Sequence, residues 1–147
     1  MDVLDLVEQA KQPAGNTPFV AFADWQPDEM AALRDLGSVL TFDTGTTVIA
    51  HGPADDRAMY IVIDGELQVV RGGQNRDVLR PGDLFGEMSF VDGQPRSASV
   101  HALVPSKALR VRPEDVEHLV ERAPRIALKF MREIARILSF RLRAAWG

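Results

Sequence analysis

The spacing of hydrophobic residues separates a β-type region from helical regions. From Leu40 to about Val111, short runs rich in Val, Ile, Thr and Phe are separated by turn residues such as Asp64-Gly65. Asp-Gly between two such runs favours a β-hairpin, because glycine adopts positive φ angles without steric cost. Seven short strands with regular turns predict an antiparallel barrel or roll. We predict the strands at 39–42, 48–50, 59–63, 67–70, 78–79, 98–102 and 108–111.

Helical patterns flank this region on both sides. Residues 1–18 begin with a short amphipathic stretch and continue with Pro and Gly residues, which predicts a short helix and a linker. A second helix is predicted to start at Pro27. Pro113 and Pro124 each occupy a position typical of the first turn of a helix. They predict a short helix followed by a last helix that ends near Arg143.

The last helix has an unusually wide apolar face. At about 100° per residue, its apolar side chains cover an arc of roughly 200°, and most of its basic side chains lie opposite. Arg141 falls inside the apolar arc, and Phe140 falls among the polar residues. Packing on one sheet needs a narrower face, and an exposed apolar seam is an aggregation liability. We therefore predict that this helix forms a homodimer contact through a seam at 134–138.

Composition indicates a single globular domain. The 147 residues are 46% hydrophobic and 26% charged, and none is cysteine. The absence of cysteine excludes a disulfide scaffold, a thiolate metal site and a cysteine nucleophile. No apolar run approaches the roughly 20 residues of a membrane span. The first residues also lack the basic start of a secretory signal, so we expect a cytoplasmic protein.

Charge is distributed unevenly along the chain. The net charge is −4, but the segment from Arg122 to the end carries +6 and the first 121 residues carry −10. Such a division is typical of a basic segment that binds a partner, including nucleic acid. It is equally typical of a basic helix packed on an acidic body. The basic face has no interleaved aromatic residues, which favours a solvated face over a nucleic-acid surface.

A segment at 84–90 interrupts the strand pattern and is predicted to form one helical turn. A turn that starts near Gly86 presents unpaired backbone N–H groups, which favour an anion. The guanidinium of Arg96 offers two parallel donors for a phosphate. The carboxylate of Glu87 can accept a hydrogen bond from a sugar hydroxyl. Spacing alone leaves open a second interpretation, in which Glu87 and Arg96 form a structural ion pair.

The segment FGEMSFVDGQPRSASV resembles the phosphate-binding cassette of cyclic nucleotide-binding domains. Such domains occur in catabolite activator proteins, protein kinase A regulatory subunits and cyclic-nucleotide-gated channels. The glycine pattern of 60–67 and 79–83 is also similar to that family. The resemblance implies a mainly β fold, a jelly-roll-like antiparallel β-roll with N-terminal helices and a C-terminal lid and dimerisation helix. The domain would occupy residues 19–147, after an extension at 1–18.

The resemblance also implies roles for single residues. Arg96 would pair with the cyclic phosphate, and Glu87 would accept a hydrogen bond from the ribose 2′-hydroxyl. Other expected contacts, mostly through backbone amides, are Phe85, Gly86, Met88, Ser89, Ser97 and Ala98. In the last helix, Ile137 stands where some family members use an arginine at the base. Arg141, one turn later, is the candidate replacement.

The implied function is a non-enzymatic sensor of cAMP or cGMP, with cAMP favoured. It would signal through movement of the last helix, with a protein effector in trans. Nothing resembling a helix-turn-helix follows Arg143, so no DNA-binding domain is expected. Two alternatives stay open: a dimerisation or regulatory-subunit module that works without nucleotide, and, less favoured, a nucleic-acid-binding protein that uses the basic helix.

No metal site is expected. The three histidines are far apart in the sequence and have no metal-ligand spacing. Asp55-Asp56 offers carboxylates for a cation, but a solvated loop is the favoured interpretation.

Overall fold

A computed structural model of the chain describes residues 22–54 and 56–146. The helix and linker predicted at 1–18 lie outside the described residues. Eight strands and four helices are found in the described part. The strands are β1 (Ser38–Phe42), β2 (Thr47–Ile49), β3 (Met59–Asp64), β4 (Leu67–Arg71), β5 (Gln74–Leu79), β6 (Leu84–Phe85), β7 (Ser99–Ala102) and β8 (Ser106–Val111). The helices are α1 (Pro27–Arg34), α2 (Glu87–Asp92), α3 (Pro113–Arg122) and α4 (Pro124–Trp146).

The strands form two four-stranded antiparallel sheets. One sheet has the order β1-β8-β3-β6, and the other has the order β2-β7-β4-β5. All strand pairs are antiparallel. The two sheets form a jelly-roll-like roll with flanking helices, which confirms the predicted fold class.

Strand β3 divides the hydrophobic interior into two clusters, because alternate residues of a strand point to opposite faces. Met59, Ile61 and Ile63 pack against the helices in a cluster that we call the helical core. Tyr60 and Val62 pack between the two sheets in a cluster that we call the roll interior. Both faces of β3 are therefore covered, and every β3 residue except Asp64 at its end is buried. This explains why the sequence of β3 is an apolar run rather than an alternating pattern.

Two strands differ from the sequence prediction. Leu84 and Phe85 form β6 and pair with Ile61 and Tyr60, and the helical turn begins only at Glu87. Pairing with β3 therefore decides their conformation. Strand β5 lies at a sheet edge and begins at Gln74, earlier than predicted. Its first four residues are exposed and polar, so they give no alternating hydrophobic signal.

Helices α3 and α4 begin at the two prolines that predicted them. At the start of α3, the backbone N–H of Arg112 donates to the carboxylate of Asp115 at 2.8 Å. This bond satisfies an N–H group that has no carbonyl partner within the helix. Helix α4 is longer than predicted and continues to Trp146. Ala127, Phe130, Ile134 and Ile137 anchor α4 in the helical core, so its C-terminal half crosses near β6 and α2.

Candidate functional site

The backbone between β6 and α2 requires a glycine at position 86. Gly86 has a φ angle of 78°, in the left-handed region that disfavours residues with a Cβ. A Cβ there would lie 2.9 Å from Nη1 of Arg96 and 3.0 Å from the carbonyl oxygen of Ala58. Glycine thus allows the Arg96 side chain to lie directly against the backbone at the start of α2.

Arg96 is a buried cation that is held by neutral acceptors. Its relative exposure is 4%. Its Nη1 donates to the carbonyl oxygen of Gly86 at 2.9 Å, and its Nη2 donates to that of Ala58 at 2.6 Å. Its Nε is buried and has no hydrogen-bond partner among the residues described. Carbonyl oxygens orient the guanidinium without cancelling its charge, which leaves Arg96 able to bind an anion.

Asp56 is the carboxylate beside Arg96. Its Oδ1 lies 3.9 Å from Nη2 of Arg96, and its Oδ2 lies 3.7 Å from Nη1 of Arg110 in β8. Its Oδ1 also accepts a hydrogen bond from the backbone N–H of Ala58 at 3.0 Å. The predicted loop is found at Asp56, whose side chain is 34% exposed, and the fold brings two distant guanidinium groups to it. Asp55 lies outside the described residues.

Glu87 pairs with α4 and not with Arg96. The Glu87 side chain is buried, and its carboxylate forms an ion pair with Arg141. Arg141 also donates from Nη2 to the carbonyl oxygen of Leu84 at 3.0 Å. No Glu87–Arg96 ion pair is present among the described contacts, so the structural alternative that spacing left open is not the arrangement found.

The charges of two aspartates, Asp83 and Asp77, act on Arg141. Burial lowers the pKa of Arg141, and the charges of Asp83 and Asp77 oppose this shift. Burial raises the pKa of Asp83, whose carboxylate accepts a hydrogen bond from the backbone N–H of Arg80 at 2.9 Å. The acidic neighbours favour the charged form of Arg141, which therefore compensates Glu87 as a cation.

The other predicted site residues divide into two groups. Phe85 is buried in the roll interior and stacks on Tyr60, with ring centroids 5.0 Å apart. Ser89 and Ala98 are also buried. By contrast, the side chains of Met88 and Ser97 are exposed.

Ile137 lies in the helical core, on the opposite face of the first sheet from the roll interior. Its side chain is 1% exposed and packs in the same cluster as Ile61 and Leu84. The structure therefore does not bring Ile137 to Arg96 and Glu87, whereas it does bring Arg141 to Glu87.

Arg57 is a site residue that the sequence analysis missed. Its Nη2 donates to the carbonyl oxygen of Phe90 at 3.2 Å, and its Nε donates to that of Ser89 at 3.4 Å. These bonds satisfy carbonyl groups near the C-terminal end of α2. The sequence carries no signal for this contact, because Arg57 precedes β3 and meets α2 only through the tertiary fold.

The apolar arc of α4 has an inner and an outer part. The inner part is buried and includes Ile134, which is 1% exposed, so the predicted seam at 134–138 is wrong for this residue. Arg141 lies on the same inner side, which explains its place in the apolar arc.

The outer part of the apolar arc contains Leu128 at 60% and Leu142 at 50% exposure. It is a stripe at alternating intervals of three and four residues, formed by Leu128, Met131, Ala135, Leu138 and Leu142. We call this stripe the outer seam.

Residues 22–54 and 56–146 contain neither a metal-binding cluster nor a membrane-spanning helix. No three His, Cys, Asp or Glu side chains lie close enough together there to hold a metal ion. None of the helices in this part of the chain has the length and apolar character needed to span a membrane.

Comparison with known proteins identifies the family. The family model for the cyclic nucleotide-binding domain matches residues 39–123. The chain is 30% identical to the CRP-like cAMP-activated global transcriptional regulator of Mycobacterium tuberculosis over 122 residues, which are 80% of this chain and 54% of that protein. It is 39% identical to the Cyclic AMP receptor protein of Thermus thermophilus over 94 residues, which are 60% of this chain and 42% of that protein.

Solved structures agree with this match. The crystal structure of the Thermus thermophilus Catabolite Activator Protein superposes with a TM-score of 0.72 at 34% identity, covering 85% of this chain and 59% of that one. The chain spans about half the length of the curated relatives it matches. The matched region contains Gly86, Glu87 and Arg96, the residues that converge at the start of α2. On these grounds the chain belongs to the cyclic nucleotide-binding domain family.

Proposed function

We propose that this chain binds a 3′,5′-cyclic purine nucleotide, cAMP in preference to cGMP, and acts as a regulatory sensor and not as an enzyme. The observation that carries the proposal is the buried guanidinium of Arg96. Its hydrogen bonds go to the carbonyl oxygens of Gly86 and Ala58, and its Nε has no partner among the described residues. The carboxylate beside it, on Asp56, lies 3.9 Å from Nη2, beyond hydrogen-bond distance. The buried guanidinium therefore keeps unsatisfied donor capacity, which a phosphate anion would use.

The ribose of the ligand would bind at Glu87. This carboxylate has a second oxygen available beside the one that pairs with Arg141. A ribose 2′-hydroxyl can donate to it while the phosphate lies at Arg96. The ion pair with Arg141 holds the carboxylate in one orientation and balances its charge, so Glu87 does not repel the phosphate.

The preference for cAMP is inferred from relatives and not from the geometry of the site. The phosphate and the ribose are the same in cAMP and cGMP, so Arg96 and Glu87 do not discriminate between them. The support comes from the two relatives whose names specify cAMP.

Helix α4 would transmit the binding event. Arg141 is part of α4 and contacts both Glu87 and the carbonyl oxygen of Leu84. A ligand that bonds to Glu87 changes the environment of Arg141, so ligand binding and the position of α4 are energetically coupled. A protein effector in trans and a cytoplasmic location complete the proposal and stay predictions.

The outer seam of α4 supports a homodimer. Apolar residues at alternating intervals of three and four are typical of a helix that packs on another helix. Leu128 and Leu142, at the two ends of the seam, are each at least half exposed in the single chain. A second copy of α4 would cover the seam with a symmetric contact, the commonest arrangement in homo-oligomers.

Calorimetric titration with cAMP, cGMP and 5′-AMP tests the proposed function. We expect cAMP to bind with micromolar or better affinity, cGMP to bind more weakly and 5′-AMP to give no measurable binding. Failure of both cyclic nucleotides to bind would contradict the proposal and favour the nucleotide-independent module. A salt-dependent gel shift with duplex DNA and RNA tests the remaining alternative, for which we expect no specific complex.

A further inference from the structure

Strand β8 carries a charged residue on the face that packs into the roll interior. Arg110 is paired in register with Tyr60 on one side and Ser38 on the other. Cross-strand neighbours share a face of the sheet, and Tyr60 belongs to the roll interior. Ala108, two residues earlier on the same strand, belongs to that cluster as well. Arg110 therefore lies on the roll-interior face, together with Ala58, whose carbonyl oxygen accepts a hydrogen bond from Arg96.

The environment of Arg110 leaves its charge only partly compensated. Its Nη1 lies 3.7 Å from Oδ2 of Asp56, beyond the length of a normal hydrogen bond. Its Nε is buried and has no hydrogen-bond partner among the described residues. Asp56 is shared with Arg96, whose Nη2 lies 3.9 Å from Oδ1. One carboxylate thus faces two guanidinium groups.

The net charge around Asp56 indicates a role for Arg110. Arg96 and Asp56 alone form a neutral pair, which offers an incoming anion little net attraction. The nearby Glu87–Arg141 pair is also neutral. Counted over the described residues Arg96, Asp56 and Arg110, the group carries a charge of +1, which matches the single negative charge of a cyclic phosphodiester.

We propose that Arg110 is a second cationic contact for the phosphate of the ligand and that it sets affinity together with Arg96. The proposal rests on the proposed function, because it assigns a further residue to the same site. The partial exposure of the Arg110 side chain, 29%, leaves it room to turn from Asp56 towards the ligand.

The test compares Arg110→Gln and Arg110→Lys with Lys107→Gln by calorimetric titration with cAMP. Lys107→Gln removes the same charge from the same strand, but Lys107 is not a contact of Asp56. We expect Arg110→Gln to weaken cAMP binding about tenfold, as for loss of one charged hydrogen bond. Arg110→Lys should lose less affinity. Lys107→Gln should change it by less than about twofold at moderate salt, because Lys107 is partly exposed and its charge is screened. Circular dichroism confirms folding of each variant.

Three outcomes are distinguishable. A tenfold loss confined to Arg110→Gln supports the role of Arg110. Equal affinities of folded Arg110→Gln and Lys107→Gln would overturn it and leave the proposed function intact. A wild-type protein that binds neither cAMP nor cGMP would overturn the proposed function and this inference with it.

Discussion

Arg141, near the C-terminal end of α4, forms an ion pair with the buried carboxylate of Glu87 in α2. The same guanidinium donates a hydrogen bond to the carbonyl oxygen of Leu84 in β6. A residue of the last helix is thereby joined to the carboxylate that is the proposed acceptor of the ribose hydroxyl. We therefore expect a displacement of α4 to disturb Glu87, and a ligand that bonds to Glu87 to shift the position of α4.

Replacing Arg141 with Ala should weaken cAMP binding about fivefold, because a partly exposed ion pair contributes roughly 1 kcal/mol. Without Arg141, the negative charge of Glu87 is uncompensated and opposes the phosphate of the ligand. The loss should be smaller than for Arg96, because Arg141 is itself not a phosphate contact. Hydrogen exchange of residues 137–146 should respond to cAMP in the wild type and not in this variant.

Arg143→Ala, which replaces an exposed arginine two positions later, is the matched control. Equal affinities of the two variants would leave Arg141 without a role in binding.

Replacing Glu87 with Gln should reduce the ability to distinguish cAMP from 2′-deoxy-cAMP. A hydrogen bond to a charged group contributes about 1.5–3 kcal/mol, so the wild type should prefer cAMP by roughly 10- to 150-fold. In Glu87→Gln this ratio should fall towards one, with 2′-deoxy-cAMP binding nearly unchanged. Because the ratio is measured within one variant, a general loss of stability cancels. A variant that discriminates as strongly as wild type would make Glu87 only a structural partner of Arg141.

Replacing Gly86 with Ala should weaken cAMP binding and lower the melting temperature. The new Cβ would lie 2.9 Å from Nη1 of Arg96 and would push the guanidinium from its position. Gly45→Ala is the matched control, because Gly45 has a similar φ angle of 85° but no atom within 4 Å of an added Cβ. Both substitutions share a backbone strain of about 1–2 kcal/mol, and only Gly86→Ala should affect the ligand. Equal cAMP affinity in the two variants would show that Arg96 does not depend on this packing.

The outer seam predicts a dimer that a single charge can dissociate. Leu142→Asp should convert the protein to a folded monomer in sedimentation experiments at micromolar concentration, because it places a carboxylate in an apolar helix contact. Arg143→Asp, at the adjacent position off the seam, should leave the dimer intact. Ile134→Asp should instead destabilise the fold, because Ile134 is 1% exposed in the helical core. A wild-type monomer with and without cAMP would refute the dimer.

The sequence predicted the fold where the hydrophobic signal is local. The apolar runs of β3, β4 and β8 and the prolines before α3 and α4 each indicate an element without knowledge of its partners. Strand β6 could not be predicted in this way. Its two residues look like the start of a helix, and only pairing with Tyr60 and Ile61 makes them a strand.

The site residues also differ in whether a local sequence pattern indicates their contacts. Glu87 and Arg96 lie in one short cassette, so their spacing indicates a ligand site. The helical wheel identified Arg141 as an anomaly, but its partner depends on where α4 crosses α2. Asp56 and Arg110 meet only through the register of β3 and β8, which no local pattern specifies. The arginine within the apolar run of β8 was the one available signal for this contact.

The central claim is that Arg96 binds the phosphate of a cyclic nucleotide, and calorimetric titration of Arg96→Ala with cAMP tests it most directly. Removing the guanidinium leaves a buried phosphate without its partner, so we expect affinity to fall by about 30-fold to several thousandfold, or ~2–5 kcal/mol. Arg76→Ala, an exposed arginine on the edge strand β5, should bind cAMP like wild type. Wild-type affinity in a folded Arg96→Ala protein would contradict the account.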